Sequence, residues 1–279
     1  MSAADTQHEL HGVRMLAPVP RGTAPALDDD DAKAPAWVPS RDEIDDATRA
    51  LLARAATLQQ LLWAERRRAL LFVLQGRDAS GKDGVVRRVF NALHPAGLHL
   101  RSFGAPEGEE LRHHFLWRVT AALPEFGSVG VWNRSHYEDI LVPRVHGTLP
   151  TSEWDPRHER IEAFEAELAE AGIVLVKCFL HISRDEQAER FRERATDPAK
   201  HWKLQASDFR DRAKWDAFTD AYREIMRRCA SHTPWYVVPA DRKSARDYLV
   251  AQLLVHHLER LDPQPPPADQ SLVAQAIAL

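Results

Sequence analysis

Apolar and polar positions follow two different periods along the chain, and their alternation predicts five strands separated by helices. Short segments rich in apolar residues are typical of strands buried on both faces of a sheet. The predicted strands cover 69–75, 98–103, 128–132, 173–182 and 235–239. Apolar residues at helical spacing predict helices over 41–68, 82–93, 108–123, 135–142, 156–171, 184–196, 207–230 and 243–261. This order predicts an α/β fold in which helices cover both faces of a five-stranded parallel sheet.

The two ends of the chain differ from this alternating region. Residues 1–40 carry scattered prolines without a sustained period, so we expect a tail that is extended or wraps the surface. Residues 41–264 form the predicted folded domain. Residues 265–279 begin in a proline-rich break and form a second tail, which ends in a short apolar stretch that could pack on a neighbour. The helical segments near both ends are compatible with a homo-oligomer.

A glycine-bearing loop follows the first predicted strand and opens the next predicted helix. Its spacing is G-x-x-x-x-G-K, which is that of a P-loop, or Walker A motif. Glycines let backbone N–H groups approach a phosphate closely, and the lysine adds a positive charge for the outer phosphates. The preceding strand and the following helix make a plain solvated turn the weaker interpretation. The loop reads Gly76-Arg77-Asp78-Ala79-Ser80-Gly81-Lys82.

Composition and charge exclude several classes of protein. A formal net charge of −4 argues against a general duplex nucleic-acid binder. No apolar run approaches the ~20 residues that a membrane-spanning helix needs, and the first residues lack a signal-peptide pattern. The two cysteines lack metal-site spacing, so we expect reduced thiols. The predicted location is the cytoplasm, with no nucleic-acid or membrane partner.

Two aspartates make this P-loop unusual. Asp83 stands directly after Lys82, where most P-loop enzymes have a Ser or Thr that binds magnesium. Asp78 lies inside the loop, where a carboxylate would repel phosphate unless it acts through a metal ion or through its position opposite an incoming phosphate. Alternatively, Asp78 only caps the loop by accepting backbone hydrogen bonds. We favour the metal-linked role, with Asp78 as the predicted metal ligand.

The third predicted strand is followed by a second group of polar residues. Asn133 takes the place of the acidic residue that usually supports magnesium at this strand end, and Arg134 is positioned to grip phosphate oxygens. Glu138 and Asp139 begin the next helix. They are either a solvated helix face favoured by the helix dipole or groups that orient a nucleotide.

A basic segment after the fourth predicted strand suggests a lid. Arg190 and Arg194 share one helix face, and a break at 197–203 separates two helices. Nucleotide and nucleoside kinases carry a phosphate-gripping lid at this place, whereas charge runs in general are solvated helix faces. The P-loop favours the lid interpretation, with bounds at about 188–215.

These motifs together resemble the polyphosphate kinase 2 family, and the resemblance runs in order from about 41 to 262. The resemblance rests on 76–84, on Phe115-Leu116-Trp117-Arg118, on Asn133 to Asp139, on 142–146, on 197–203 and on Pro234-Trp235-Tyr236. It implies a thymidylate-kinase-like, three-layer α/β/α P-loop fold with a helical lid. It also implies Mg²⁺ as cofactor and reversible phosphoryl transfer between inorganic polyphosphate and nucleotides. The motif at 133–139 is similar to that of members that phosphorylate both AMP and ADP, so adenine nucleotides are the expected partners and guanine nucleotides are a further candidate class.

The resemblance and the motifs assign roles to individual residues. The predicted catalytic residues are Asp78, Lys82, Arg134, Arg190 and Arg194. The predicted phosphate-binding residues are Gly76, Arg77, Ala79, Ser80, Gly81, Asp83, Gly84, Arg87, Lys200 and Lys203. The predicted nucleotide-binding residues are Asn133, Tyr137, Glu138 and Asp139. Two alternatives are an ATP-dependent nucleotide or nucleoside kinase and a non-catalytic phosphate-binding regulatory module.

Overall fold

The computed structural model describes residues 7–10 and 13–279, and seven strands lie in these residues. Two short strands, β1 (Gln7–Leu10) and β2 (Val13–Leu16), pair antiparallel. The other five form one parallel sheet. They are β3 (Ala69–Gln75), β4 (Leu98–Ser102), β5 (Val129–Asn133), β6 (Ile173–His181) and β7 (Trp235–Pro239).

The five-stranded sheet has the order β4-β5-β3-β6-β7, which places β3 in the centre. Leu70 of β3 is in register with Val129 of β5, and Ala69 is in register with Ile173 of β6. All seven residues of β3 are buried. The loop that follows β3 therefore leaves the middle of the sheet at its carboxyl edge, which is where ligands bind in open parallel sheets.

The described residues form eleven α-helices, and several differ in extent from the sequence prediction. They are α1 (Ile44–Glu65), α2 (Lys82–Arg88), α3 (Trp117–Thr120), α4 (Glu138–His146), α5 (Thr151–Trp154), α6 (Arg157–Glu170), α7 (Arg184–Thr196), α8 (Ala206–Ala213), α9 (Trp215–Arg228), α10 (Lys243–Leu261) and α11 (Gln270–Ile277).

Helix predictions were too long where the chain lacks a continuous buried face. The predicted helix 108–123 is a 3₁₀ turn (Gly108–Arg112) followed by the four-residue α3. The turn buries none of its residues, and Gly108 has a φ of +57°, so packing does not support a longer helix there. The predicted helix 207–230 is divided at Lys214 into α8 and α9.

Two apolar cores lie on opposite faces of the sheet, and the alternation of β3 side chains contributes to both. Leu70 and Phe72 face the first core, which includes residues of α1 and α10. Leu71 and Val73 face the second core, which includes residues of α4, α6 and α9. The predicted α/β/α arrangement with a five-stranded parallel sheet is confirmed.

The segment before α1 contributes to these cores. Met15 and Leu16 are buried in the first core and Val19 in the second. The N–H of Val19 donates to the carbonyl of Trp235 at 2.7 Å, so this segment runs beside β7. The division of the chain at residues 40 and 264 stays a prediction. No helix of the described ranges, 7–10 and 13–279, is long and apolar enough to cross a bilayer.

Candidate active site

The loop between β3 and α2 has a backbone that depends on glycine at two positions. Gly76 has a φ of +148°, and a Cβ atom there would lie 2.6 Å from the carbonyl oxygen of Leu180. Gly81 has a φ of +99° and precedes the first residue of α2. Ala79 also takes a positive φ of +64°. The loop thereby delivers the first N–H groups of α2, which have no partner within the helix, to the edge of the sheet.

Lys82 lies folded back beneath this loop. Its Nζ donates to the carbonyl oxygens of Gly76 at 2.6 Å and Arg77 at 3.1 Å. Burial, assisted by the nearby positive charge of Arg134, lowers the pKa of Lys82 to about 8. The ammonium group is held at the loop and is poorly solvated. A phosphate bound beside it would therefore stabilise its charged form.

The lowered pKa of Lys82 predicts a pH dependence. Because the predicted role of Lys82 is to bind phosphate with its charged ammonium, kcat/KM for a polyanionic substrate should fall about tenfold per pH unit above about pH 8. The measurement is a pH–rate profile with the other substrate saturating. In Lys82→Arg this alkaline limb should disappear, because the guanidinium stays charged. A wild-type profile that stays flat to well above pH 9 would contradict the assignment.

Asp78 and Arg134 form an ion pair at the mouth of the loop. Nη2 of Arg134 donates to Oδ1 of Asp78 at 2.9 Å. Burial alone would lower the pKa of Arg134, but the carboxylates of Glu138 and Asp78 outweigh it and hold that pKa above its ordinary value. The backbone of Arg134 has a φ of +64°, and its N–H donates to the carbonyl of Leu74. The end of β5 thus aims this guanidinium at the P-loop.

Asn133 and Asp83 lie next to this pair. Nδ2 of Asn133 donates to Oδ1 of Asp83 at 2.7 Å. The two unusual positions of the sequence, the carboxylate after the P-loop lysine and the amide at the end of β5, therefore contact each other. Together with Asp78 they present oxygen atoms at one place on the carboxyl edge of the sheet.

A cationic cleft of about 590 Å³ opens beside the P-loop. Its walls come from the P-loop and α2, from the basic segment of α7 and the following 3₁₀ turn (Pro198–Lys203), and from the start of α10. The carboxylates on its walls are those of Asp78, Asp83, Glu193 and Asp208. The more numerous cationic side chains are those of Lys82, Arg87, Arg88, Arg134, Arg190, Arg194, Lys200, Lys203, Lys243 and Arg246.

An aromatic pocket lies on the other side of Asp78 and Arg134, which line both spaces. Trp215, Phe218 and Tyr222 from α9 form one side of it. The guanidinium of Arg77 stacks over the Trp215 ring, with 3.8 Å between its Cζ and the ring centroid. The other residues that line the pocket are Gly76, Glu138, Leu141, Val142, Gln187, Asp211 and Arg212.

Glu138 is one of three carboxylates that line the aromatic pocket, together with Asp78 and Asp211. Burial raises its pKa, while the positive charges of Arg134 and Lys82 oppose this increase. A group in this position can accept hydrogen bonds from a bound ligand.

Comparisons with known proteins give this site a family. The family model described as Polyphosphate kinase 2 (PPK2) matches residues 39–266. The chain belongs to the polyphosphate kinase 2 family. An AMP/ADP-polyphosphate phosphotransferase of Meiothermus ruber is 42% identical over 82% of this chain and 88% of the relative. An ADP-polyphosphate phosphotransferase of Rhodopseudomonas palustris is 40% identical over 80% of this chain and 81% of the relative.

The fold agrees with a solved member of the family. The crystal structure of polyphosphate kinase 2 from Arthrobacter aurescens superposes with a TM-score of 0.86 at 36% identity, covering 100% of this chain and 98% of that one. The resemblance inferred from the motifs is therefore confirmed over the folded part of the chain.

The structure brings most of the predicted residues of this polyphosphate kinase 2 chain to the cationic cleft. Gly76 and Arg77 instead line the aromatic pocket, and Ser80 is fully buried. Those on the cleft are Asp78, Ala79, Gly81, Lys82, Asp83, Gly84, Arg87, Asn133, Arg134, Arg190, Arg194, Lys200 and Lys203. Their individual roles stay predictions.

The predicted lid arginines differ in how they are held. Arg190 is 5% exposed, and its guanidinium donates to the carbonyls of Ala79, Ala240 and Asp241 and to the carboxylate of Glu186. It is thus tied to the P-loop and to the end of β7 instead of extending freely over the cleft.

The other lid cations have weaker attachments. Arg194 contacts Asp208 at 3.6 Å, and Lys200 pairs with Asp197 at 2.8 Å in a half-exposed position. The Lys200–Asp197 pair is of the exposed kind that contributes about 0–1 kcal/mol, so Lys200 can exchange its partner for a phosphate at small cost. The Arg194–Asp208 pair is mostly buried, with side chains 20% and 8% exposed, and its long contact distance makes it a loose one.

Tyr137 and Asp139, both predicted to bind nucleotide, lie in the protein interior and line neither space. The Tyr137 hydroxyl donates to Oε1 of Glu165 at 2.5 Å, and Lys177 pairs with the same carboxylate at 2.6 Å. Asp139 accepts from Arg118 at 2.9 Å. We therefore leave these two residues out of the nucleotide site proposed below, and retain Asn133 and Glu138.

Sequence reasoning missed the contribution of α10. Arg246 and Lys243 reach the cationic cleft from a helix that follows the P-loop by about 160 residues. A signal was present: an Arg-Asp pair at 246–247 opens a helix that is otherwise strongly apolar and buried. Buried charged residues are rare unless paired, which marks such a pair for inspection.

Proposed function

We propose that this protein catalyses reversible phosphoryl transfer between inorganic polyphosphate and AMP or ADP, with Mg²⁺ as cofactor. The observation that carries the proposal is the cationic cleft, which meets the aromatic pocket at Asp78 and Arg134. A long polyanion suits the cleft. The aromatic base of a nucleotide suits the side chains of the pocket, whose free volume of about 40 Å³ would have to widen to admit it. The relatives from Meiothermus ruber and Rhodopseudomonas palustris, an AMP/ADP-polyphosphate phosphotransferase and an ADP-polyphosphate phosphotransferase, support this assignment.

Charge repulsion between the two substrates is the main obstacle to the reaction. Two unit charges 4 Å apart cost about 4 kcal/mol at an effective dielectric constant of 20, and polyphosphate multiplies this cost. Lys82 and Arg134 lie where the substrates would meet, and the lid cations lie along the remaining wall. Prearranged positive charge of this kind stabilises the transition state without reorganisation.

The chemistry needs alignment more than proton transfer. An ionised phosphate oxygen of AMP or ADP attacks the terminal phosphorus of polyphosphate, forming one P–O bond while the bridging P–O bond breaks. The leaving group is polyphosphate shortened by one unit, and no proton has to be removed from the acceptor. In this scheme Lys82 and Arg134 hold the transferring group, and Asp78 orients Arg134 through their 2.9 Å hydrogen bond.

The residues at the carboxyl edge of the sheet fit Mg²⁺. This ion prefers oxygen ligands and usually takes one or two protein carboxylates together with substrate phosphates and water. Asp78 is the first candidate ligand, and Asp83 and Asn133, which contact each other, line the same cleft. No group of three or more His, Cys, Asp or Glu suited to a metal occurs among the described residues, which fits an ion that arrives with its substrate. When bound, Mg²⁺ would neutralise phosphate charge.

The decisive test is an assay of purified protein with long-chain polyphosphate and Mg²⁺, using AMP and ADP separately as acceptors. We expect ADP to form from AMP and ATP to form from ADP. A protein that phosphorylates nucleotides only when ATP is the donor would be an ordinary nucleotide kinase. A protein that binds polyphosphate without turnover with either acceptor would be a binding module, and both outcomes would refute the proposal.

The lid should affect polyphosphate more than the nucleotide. Arg194→Ala is expected to raise the KM for polyphosphate about tenfold, which corresponds to losing one charge-assisted contact of about 1.5 kcal/mol, the lower end of the range for such contacts. The KM for ADP should change little. Initial rates with each substrate varied in turn measure both values. Arg192→Ala is the matched control, since Arg192 is an exposed residue of the same helix that pairs with Glu189. Equal changes in both constants would argue that Arg194 contacts the transferred group.

Glu138 should show the opposite selectivity. Glu138→Gln keeps the size of the side chain but removes its charge, so we expect the KM for ADP or AMP to rise at least about tenfold, as for a lost hydrogen bond to a charged group. The KM for polyphosphate should change little. Glu170→Gln, at the exposed end of α6, serves as control. A larger effect on polyphosphate would exclude the aromatic pocket as the nucleotide site.

A further inference from the structure

A buried arginine from α10 lies directly against the P-loop. Arg246 is 2% exposed, and its Nη1 donates to the carbonyl oxygen of Ser80 at 3.4 Å. The same side chain reaches the wall of the cationic cleft. Its charge is therefore withdrawn from bulk water at the loop proposed to hold phosphate.

Asp247 fixes the orientation of this guanidinium. Its Oδ1 accepts from both Nε and Nη2 of Arg246, at 2.9 and 2.6 Å. Its Oδ2 accepts from Arg88 of α2 at 3.0 Å. Asp247 thus connects α10 to α2 and holds Arg246 with its third nitrogen directed at the loop.

The glycines of the loop leave room for this arginine. A Cβ atom at Gly81 would lie 1.8 Å from Nη1 of Arg246, and one at Gly84 would lie 3.0 Å from Nη2. A side chain at Gly81 would displace the guanidinium. Glycine at these two positions therefore admits a cation from α10, besides allowing a phosphate to approach the backbone.

The contact with Ser80 also determines which way a peptide group faces. In a trans peptide the carbonyl oxygen and the following N–H point in opposite directions. Because the Ser80 carbonyl faces Arg246, the N–H of Gly81 is directed away from that arginine. Arg190 acts similarly one residue earlier, where its Nη1 donates to the Ala79 carbonyl at 2.8 Å.

We propose that Arg246, held by Asp247, is a positioning residue for the polyphosphate site, orienting the Ser80–Gly81 peptide so that its N–H serves phosphate. This inference rests on the proposed function. A lysine cannot replace Arg246, because an ammonium does not combine the fork toward Asp247 with the contact to Ser80.

The test compares Arg246→Ala, Arg246→Lys and Asp247→Asn with wild type. We expect Arg246→Ala to lower kcat/KM for polyphosphate about 100-fold, the size typical of a displaced site, while the KM for ADP changes little. Arg246→Lys should not restore the activity, and Asp247→Asn should show a smaller loss in the same parameter. Millimolar guanidinium ion should partly rescue Arg246→Ala, since it can enter the space left beside Gly81. Arg260→Ala, an exposed position on the last turn of α10, is the control that should change neither constant.

A second measurement separates this inference from the proposed function. Polyphosphate should raise the Tm of wild type, and this shift should be lost in Arg246→Ala. If wild type transfers no phosphate, the proposed function fails, but an unequal Tm shift still supports the role of Arg246. The role of Arg246 would be overturned by equal Tm shifts in wild type and Arg246→Ala, or by an unchanged kcat/KM for polyphosphate. It would also be overturned if the loss of activity only matched the loss of folded protein and guanidinium ion did not restore it. Wild type that neither uses polyphosphate nor is stabilised by it would overturn both.

Discussion

Lys82→Met is expected to lower polyphosphate-dependent ATP formation at least about 10³-fold, while the free protein stays at least as stable as wild type at pH 7. The activity loss follows from removing a prearranged cation at the transferring phosphate. The stability result follows from the cost of burying the ammonium. Its pKa is about 8 in the folded protein against 10.5 for an ordinary lysine, which corresponds to about 3 kcal/mol.

The sign of the stability effect can be checked against pH. Between about pH 8 and 10.5 the unfolded chain holds more protons at Lys82 than the folded one, so rising pH stabilises wild type in this window. The lost hydrogen bonds to Gly76 and Arg77 reduce the gain in the variant. Calorimetric Tm values at pH 7 and near pH 10 should therefore show wild type gaining on Lys82→Met as pH rises.

Control measurements decide whether Lys82 acts at the site. Lys33→Met removes an exposed lysine that pairs with Asp30, and it should alter neither activity nor the pH dependence of Tm. Retention of most activity by folded Lys82→Met would refute the P-loop assignment. A Tm well below that of wild type at pH 7 would show that the ammonium stabilises the loop.

Arg134→Met should lower kcat about 10³-fold with either AMP or ADP as acceptor, by analogy with arginines that contact a transferring phosphoryl group. Arg134 lines both the cationic cleft and the aromatic pocket, so under the proposed function its charge would lie where the two substrates meet. The loss should appear in kcat as well as in kcat/KM, since the interaction strengthens as charge moves between the substrates.

The variant removes a positively charged partner of Asp78 and Glu138. A loss of stability in Arg134→Met therefore has to be distinguished from a loss of catalysis. Arg144→Met provides the comparison: Arg144 is a similarly half-buried arginine that pairs with Glu224 and lines neither space. We expect the two variants to lose comparable stability, measured by urea denaturation, but only Arg134→Met to lose kcat. A change confined to the KM of one substrate would instead make Arg134 a binding residue for that substrate alone.

Local patterns in the sequence were sufficient for the sheet and for the P-loop. The apolar run 69–75 followed by two glycines and a lysine predicts a strand, a turn and a helix, because these depend on neighbouring residues. The observed β3 has the predicted bounds. The bounds of β7 also match the prediction, β4 and β6 end one residue earlier than predicted, and β5 is shifted by one residue.

The direction of a side chain could not be predicted from local patterns. Arg190 and Arg194 share a helix face. Only the tertiary structure shows that the guanidinium of Arg190 donates hydrogen bonds to the backbone carbonyls of Ala79, Ala240 and Asp241. Tyr137 follows Arg134 by three residues, yet its hydroxyl lies in the core beside Glu165. Both outcomes depend on partners that are far away in the sequence.

The amino-acid sequence by itself determined the α/β fold, the position of the glycine-bearing loop between β3 and α2, and the family, since each is indicated by motifs of residues that are close together along the chain. Only the tertiary structure decided which cations face the cleft, that Asp78 and Arg134 separate it from an aromatic pocket, and that Arg246 supports the loop from α10. The physical reason is that a buried charged side chain must hydrogen-bond to a carboxylate or carbonyl. The fold brings such partners together from distant parts of the chain, so the spacing of residues in the sequence does not show which partner a charge will have.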